Sequence, residues 1–298
     1  MKLLLSKKNS NSKSKSVVYM TEDISAEGLM AIYTVLNCKA IGKVAVKISS
    51  GEPGGHHFLS AKLIAPLVQI VNGTIVECNT AYGGRRADTE SHHKVLEEHG
   101  FTAIAPVDIM DAEGSIRIPI IGGKHLKEDI VGASFANYDF VVNLAHFKGH
   151  AMGGLGGVIK NMSIGIASSI GKSLIHSAGK ETTGFSPNTP QDDFLESMAE
   201  AAKGVADYVG KNIIYINVMN NLSVDCDCDS HPARPEMNDI GILSSLDPVA
   251  LDQACVDLVY AAGGKALIER MESRHGIHTL EHAEKIGLGT RNYDLYEI

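Results

Sequence analysis

The residues best able to do chemistry are gathered in one stretch, His146-Phe147-Lys148-Gly149-His150-Ala151-Met152-Gly153-Gly154-Leu155-Gly156-Gly157-Val158-Ile159-Lys160-Asn161. His146, Lys148 and His150 alternate, and in extended backbone that spacing turns all three toward one face. Imidazoles titrate near neutral pH and an ammonium offsets negative charge, so the trio suits acid–base work on an anion. The glycines among them let backbone N–H groups approach a ligand closely or wrap an anion. A tight turn with a polar rim is the alternative, but such a turn needs far fewer ionisable groups than this.

Residues 140–144 form an apolar run that reads as a buried strand, so the cluster emerges at a strand's carboxyl end, where open α/β sheets hold their ligands. Two more strands exit in the same way. Residues 43–48 lead into Ser49-Ser50-Gly51-Glu52-Pro53-Gly54-Gly55, and residues 74–78 lead into Asn79-Thr80-Ala81-Tyr82-Gly83-Gly84-Arg85-Arg86. Neither bend carries a dinucleotide fingerprint or a P-loop. The recurrence predicts one cleft at which the turns after Lys47, Asn79 and Leu144 meet, with Lys47, Tyr82 and Arg85 binding substrate. Arg85 and Arg86 together offer a bidentate grip on a carboxylate or phosphate, or are an ordinary surface pair. Residues 88–99 predict an amphipathic helix with His92, His93 and His99 on its solvated face.

The rest of the pattern supplies the frame. Strands are expected at residues 17–20, 116–120, 129–131, 212–218 and 240–244. Helices are expected at 26–38 behind Ser25, at 60–71, at 161–169, from Asp192 or Asp193 to about 209, at 249–262 behind Asp247-Pro248, and at 265–274 and 279–286. Residues 171–177 read as a loop and 177–191 as a mobile excursion or lid. The predicted class is α/β, a mostly parallel sheet with helices on both faces, as a single unit over 17–298 or as two lobes around a glycine-rich cleft. Residues 1–16 read as a frayed polar leader.

Composition excludes several roles. With 298 residues and a formal charge of -8, the chain has no broad basic face for nucleic acid. No apolar run approaches the ~20 residues of a membrane span. Five scattered cysteines suggest reduced thiols and a cytoplasmic setting. Asp225-Cys226-Asp227-Cys228, with His231 nearby, is either a soft-metal edge or an acidic loop with incidental cysteines. It is expected to be exposed, because alternating aspartates need partners to be buried.

At these residues the chain resembles a known family. Lys47 with Gly51-Glu52-Pro53-Gly54, Tyr82 with Arg85, His146 to His150, Gly156-Gly157 with Lys160-Asn161, Lys172 with His176-Ser177, Asp225 to Cys228, and Asp239-Ile240-Gly241-Ile242 through Asp247-Pro248 to Asp252-Gln253-Ala254 resemble domain-of-unknown-function family 362, the uncharacterised iron-sulfur centre proteins. Many members carry a ferredoxin-like cysteine insert after the position of His176-Ser177. Residues 178–191 here hold no cysteine, so a conventional [4Fe-4S] pair is not expected. The order His150, Gly156-Gly157, Lys160, His176 is also similar, more remotely, to the nickel-pincer lactate racemase family. That resemblance implies a lysine holding the pincer cofactor covalently, at Lys160, a nickel-binding His176, a proton-moving His150, and Gly156, Gly157 and Asn161 around the cofactor.

Two functions follow as expectations. The first is a cytoplasmic enzyme that holds a metal or metallo-cofactor, iron-sulfur or nickel, and acts on a small anion such as a hydroxy or keto acid by proton transfer or redox chemistry. His150, His146 and Lys148 would be catalytic. Metal would be held by His176, Asp225, Cys226 and Cys228. The second is a non-catalytic metal or iron-sulfur carrier built on the Cys226/Cys228 loop, with a homodimer completing the ligand count.

Overall fold

The computed structural model of the protein describes residues 1–8, 14–185 and 188–298. The strands are β1 (Lys2–Lys7), β2 (Ser16–Thr21), β3 (Val44–Lys47), β4 (Gly73–Glu77), β5 (Val107–Ile109), β6 (Ser115–Pro119), β7 (Glu128–Gly132), β8 (Phe140–His146), β9 (Lys148–His150), β10 (Gly154–Gly156), β11 (Ile213–Met219), β12 (Gly241–Ser245) and β13 (Tyr293–Glu297). The α-helices are α1 (Ala26–Val35), α2 (Ala61–Ile70), α3 (Thr89–Glu98), α4 (Val158–Met162), α5 (Ser169–His176), α6 (Gln191–Val209), α7 (Pro248–Ala262), α8 (Lys265–Ser273) and α9 (His278–Lys285).

Nine strands form one sheet in the order β1-β13-β2-β12-β11-β8-β3-β4-β5. The run from β11 to β5 is parallel, as is the β13–β2 pair, whereas β12 is antiparallel to both neighbours and β1 is antiparallel to β13. Every residue of β3, β8 and β11 is buried, which their unbroken apolar runs anticipate for strands covered on both faces. Side chains alternate across the sheet. Val44, Val46, Phe140, Val142 and Leu144 pack with α1, α2 and α3, while Ala45, Val141 and Ala145 face α4, α6 and α7. The mostly parallel α/β class with helices on both faces is therefore the observed one.

The connections decide where a ligand can sit. From β3 the chain winds outward through α2 to β4, whereas from β8 it passes through α6 to β11 on the other side. Neighbours β3 and β8 thus diverge in opposite directions, and the space beyond their carboxyl ends is free of crossover chain.

Several local expectations are corrected. Part of the expected frayed leader is a strand, β1, pairing with β13, itself a strand that the polar alternation Tyr293-Asp294-Leu295-Tyr296-Glu297 hid. Helix is found over Val158–Met162 and Ser169–His176, not over 161–169, because Ser168 caps the later helix through a bond from the Gly171 amide. Pro190 precedes α6, and Asp192 and Asp193 lie in its first turn rather than at the cap. His92 is fully buried, on the same face of α3 as Val95 and Leu96. The expected excursion at 177–191 includes residues 186 and 187, outside the described residues. Among the described residues no helix is long and apolar enough to cross a membrane.

Candidate functional site

A cavity of about 270 Å³ opens at the divergence of β3 and β8, lined by the ends of β3, β4 and β8, the β9–β10 ribbon, α4 and α5. The three sequence-distant bends meet there: Lys47, Thr80 with Tyr82, and His146 all line it. So do Lys148, His150, Gly156, Gly157, Lys160, Asn161 and His176.

On the β3 and β4 side the charges are matched. Lys47 Nζ donates to Glu77 Oε2 (2.7 Å), to Asn161 Oδ1 (3.2 Å) and to the carbonyl of Ile48. Asn161 Nδ2 returns a bond to the Lys47 carbonyl (3.0 Å) and reaches Asn143 Oδ1 (2.7 Å), tying α4 to β3 and β8. Arg86 donates from Nε to Glu52 Oε1 (2.7 Å) and from Nη2 to the Tyr82 hydroxyl (2.9 Å). Burial opposes ionisation of Glu77, but Lys47 and Arg86 outweigh it and hold the carboxyl down at about 2.

At the end of β8, Asp227 is sandwiched between an imidazole and an ammonium. Its Oδ1 meets His146 Nδ1 (2.8 Å) and its Oδ2 meets Lys148 Nζ (2.7 Å), all three side chains being buried. Burial pushes Asp227 toward neutrality, yet His146 and Lys148 keep it well below the usual carboxylate range. His146 Nε2 also meets the Asn220 carbonyl (2.6 Å), so both its nitrogens are engaged.

The third group is not matched. Lys160 and Lys172 face the cavity, and among the described residues neither ammonium has a carboxylate partner; Lys172 Nζ donates only to the Ala167 carbonyl (2.5 Å). Burial, with Lys148 next in effect, lowers the Lys160 amine to about 7. Two imidazoles stand beside them. His150 Nδ1 accepts from the amides of Gly153 (2.8 Å) and Met152 (3.2 Å), so the neutral ring carries its proton on Nε2. Burial, then Lys160 and His176, hold His150 well below its ordinary pKa. His176 has the opposite tautomer: Nδ1 donates to the Lys172 carbonyl (2.7 Å), leaving a lone pair on Nε2. Burial, despite that carbonyl, brings His176 down to about 4. Its ring lies against Phe194, with centroids 4.8 Å apart, which fixes its plane.

A family match covers residues 44–257, and the family is described as "Domain of unknown function (DUF362)". The chain belongs to that family. No curated protein matches this DUF362 member. Two solved structures are weakly similar. The lactate racemase apoprotein from Thermoanaerobacterium thermosaccharolyticum aligns with TM-score 0.42 and 16% identity over 68% of this chain and 50% of its own. A Thermotoga maritima protein solved as a structural genomics target aligns with TM-score 0.44 and 10% identity over 88% of this chain and 59% of its own. This DUF362 member thus spans half to three-fifths of the chains it resembles.

Six expected site residues are placed elsewhere or differently. Arg85 lies on the surface in a two-bonded pair with Glu98 (2.7 and 2.6 Å), and its neighbour Arg86 takes the cavity position. Asp225 bonds Arg270 Nη1 (3.2 Å) and the Ala233 amide (3.0 Å) and does not line the cavity. Cys226 is buried rather than exposed and is joined to Cys228 by a disulfide, so neither is a free thiol; Cys228 alone of the two lines the cavity. Glycines 156 and 157 do not open an anion nest at α4, because Asp252 already accepts from the amides of Val158 and Ile159 (3.0 Å each). Glu52, Glu77, Asp227 and Lys172 were not named as site residues: nothing local marks a carboxylate whose cation arrives from a distant strand, and Lys172 was read in a loop where the structure has α5.

Proposed function

We propose that the protein is an enzyme that binds a small carboxylate, of the hydroxy-acid or keto-acid class, in this cavity and moves a proton on it. The observation that carries this reading is the unmatched pair, Lys160 and Lys172, facing two neutral imidazoles of opposite tautomer. Lys160, protonated on anion binding, holds the carboxylate. His176, with its Nε2 lone pair, takes the proton, and His150, with its proton on Nε2, donates a hydrogen bond to the substrate oxygen. His146 and Lys148 are committed to Asp227, which makes them positioning residues that hold the β9 ribbon and bias the field.

The same residues fit a covalently held metallo-cofactor of the kind the racemase resemblance implies. A Lys160 amine near 7 is largely uncharged above neutrality, and His176 presents one nitrogen while a carbonyl fixes the other. Lys160 would hold the group and His176 its metal, and when bound it would supply an electrophilic centre beside the substrate.

The test is α-proton exchange of lactate and related 2-hydroxy acids in deuterated buffer, followed by NMR, on protein purified without oxygen. Lys160→Ala is expected to weaken binding at least tenfold, and His176→Ala to bind but not exchange. Equal binding by wild type and Lys160→Ala would sink the reading. A second reading, metal carriage, is favoured by one observation: ligand atoms of His150, Cys226 and Cys228 lie within 4.8 Å of one another. It requires reduction of the disulfide, and iron retained by the reduced wild type but not by Cys226→Ser would support it.

A further inference from the structure

A second group of ligand-type side chains lies away from the cavity, where the first two turns of α6 meet α9 and the turn before β7. Glu196 is its centre. Glu196 Oε2 lies 2.6 Å from His125 Nε2, and Oε1 lies 3.2 Å from His278 Nε2 and 3.5 Å from His282 Nδ1. Asp193, three residues earlier on α6, is 3.7 Å from His125 Nε2. Ligand atoms of His125, Asp193 and Glu196 all lie within 4.8 Å of one another. None of these residues lines the cavity.

We propose that His125, Asp193 and Glu196 bind a divalent first-row transition metal, zinc by preference, with His278 holding the second oxygen of Glu196. Imidazole and carboxylate are zinc's ordinary ligands, and zinc bonds of 2.0–2.2 Å in a tetrahedron set ligand atoms roughly 3.3 Å apart, a value bracketed by the 2.6 Å from His125 to Glu196 and the 3.7 Å from His125 to Asp193. An independent observation points the same way. His282 is 3% exposed, and its Nδ1, facing Glu196, has no hydrogen-bond partner among the described residues. A buried nitrogen without a partner is costly, and a cation on Glu196 would give the surrounding lone pairs a common purpose.

The surroundings are built to hold these ligands. Glu200, one turn along α6 from Glu196, accepts the amides of Lys124 (2.8 Å), His125 (3.0 Å) and Leu126 (2.9 Å), which fixes the turn bearing His125. It also accepts from His282 Nε2 (3.1 Å), tying α9 to the same carboxylate. The Lys124 ammonium, 2.6 Å from Glu196 Oε2 on a side chain 59% exposed, stands where a metal would and can swing into solvent when one arrives.

The experiment is zinc titration by calorimetry after chelator dialysis, in a His176→Ala, Cys226→Ser, Cys228→Ser background that lacks the cavity and thiol ligands. One equivalent is expected to bind with a rise in Tm. Affinity should fall at least tenfold in Glu196→Gln and in Asp193→Asn, and should rise in Lys124→Ala, which removes the competing cation. If Glu196→Gln fails to fold by circular dichroism, His125→Ala, nearer the surface, takes its place. Absence of saturable binding, or unchanged affinity in the His125 and Asp193 variants, would overturn the site and leave a plain hydrogen-bond network.

Discussion

Lys160 is the residue at which charge, burial and function conflict. Folding lowers its pKa from 10.5 to about 7, so between those values the unfolded chain binds more protons and stability should rise with pH. Lys160→Met removes that cost. It is therefore expected to raise Tm most below pH 7 and to converge with wild type above pH 10.5, by about 1.4 kcal/mol for each unit of lowered pKa. Anion binding should run the other way, weakening as pH rises through about 7 because the ammonium is the holding form. Calorimetry in buffers of different ionisation enthalpy would show uptake of one proton per carboxylate above that pH, and none in Lys160→Met. The sequence made Lys160 legible because it closes a glycine-rich bend. It chose Arg85 over its neighbour Arg86, and the turn before α3 sends Arg85 to the surface and Arg86 into the cavity. His92 was legible and misread: it lies three and four residues before Val95 and Leu96, the spacing of a buried face.

At the scale of elements, the strands that carry the site were visible because central parallel strands are apolar throughout, and each leads into a bend of small residues. The short helix α4 was not, since its start depends on a carboxylate from far along the chain. Asp252 accepts the first two α4 amides, and a Cβ on Gly157 would sit 2.3 Å from Asp252 Oδ1. Burial raises Asp252 to about 6, so this carboxylate is bound to its place by geometry rather than by a counter-cation. Gly157→Ala must therefore displace either Asp252 or the start of α4. A loss of about 1–3 kcal/mol in urea unfolding is expected, the usual range for overpacking, together with weaker anion binding because Lys160 lies one turn on. Stability and binding both unchanged would show that the bend has slack that the structure does not reveal. The α5 helix was mistaken for a loop because its glycine and serines read as turn residues, although Ser168 and Gly171 are the two ends of a capping bond.

Over the whole molecule, the winding of the chain gathers cations from β3, β9, α4, α5 and the turn before α3 around one opening, and three carboxylates among the described residues pair with them. Glu77 answers Lys47 and, at 3.7 Å, Arg86; Glu52 answers Arg86; Asp227 answers His146 and Lys148. That arrangement sets stability against affinity. Each buried carboxylate supports the fold by neutralising its neighbours, and each also competes with an incoming anion for the same field. Glu77→Gln should expose the conflict. Leaving Lys47 without its counter-charge is expected to cost about 3–5 kcal/mol, measured by urea unfolding at pH 7, because a buried ion pair broken on one side leaves an uncompensated charge. The same change should strengthen binding of a small carboxylate at least tenfold, since the anion then supplies the charge that Glu77 withheld, and saturating anion should restore part of the lost stability. At pH below about 2 the wild type should approach the variant, because that is where Glu77 itself takes up a proton. Loss of stability with no gain in affinity would mean that Glu77 shapes the wall of the cavity without tuning its charge, and the cations on the β3 side would then have to be counted as part of the fold rather than of the site.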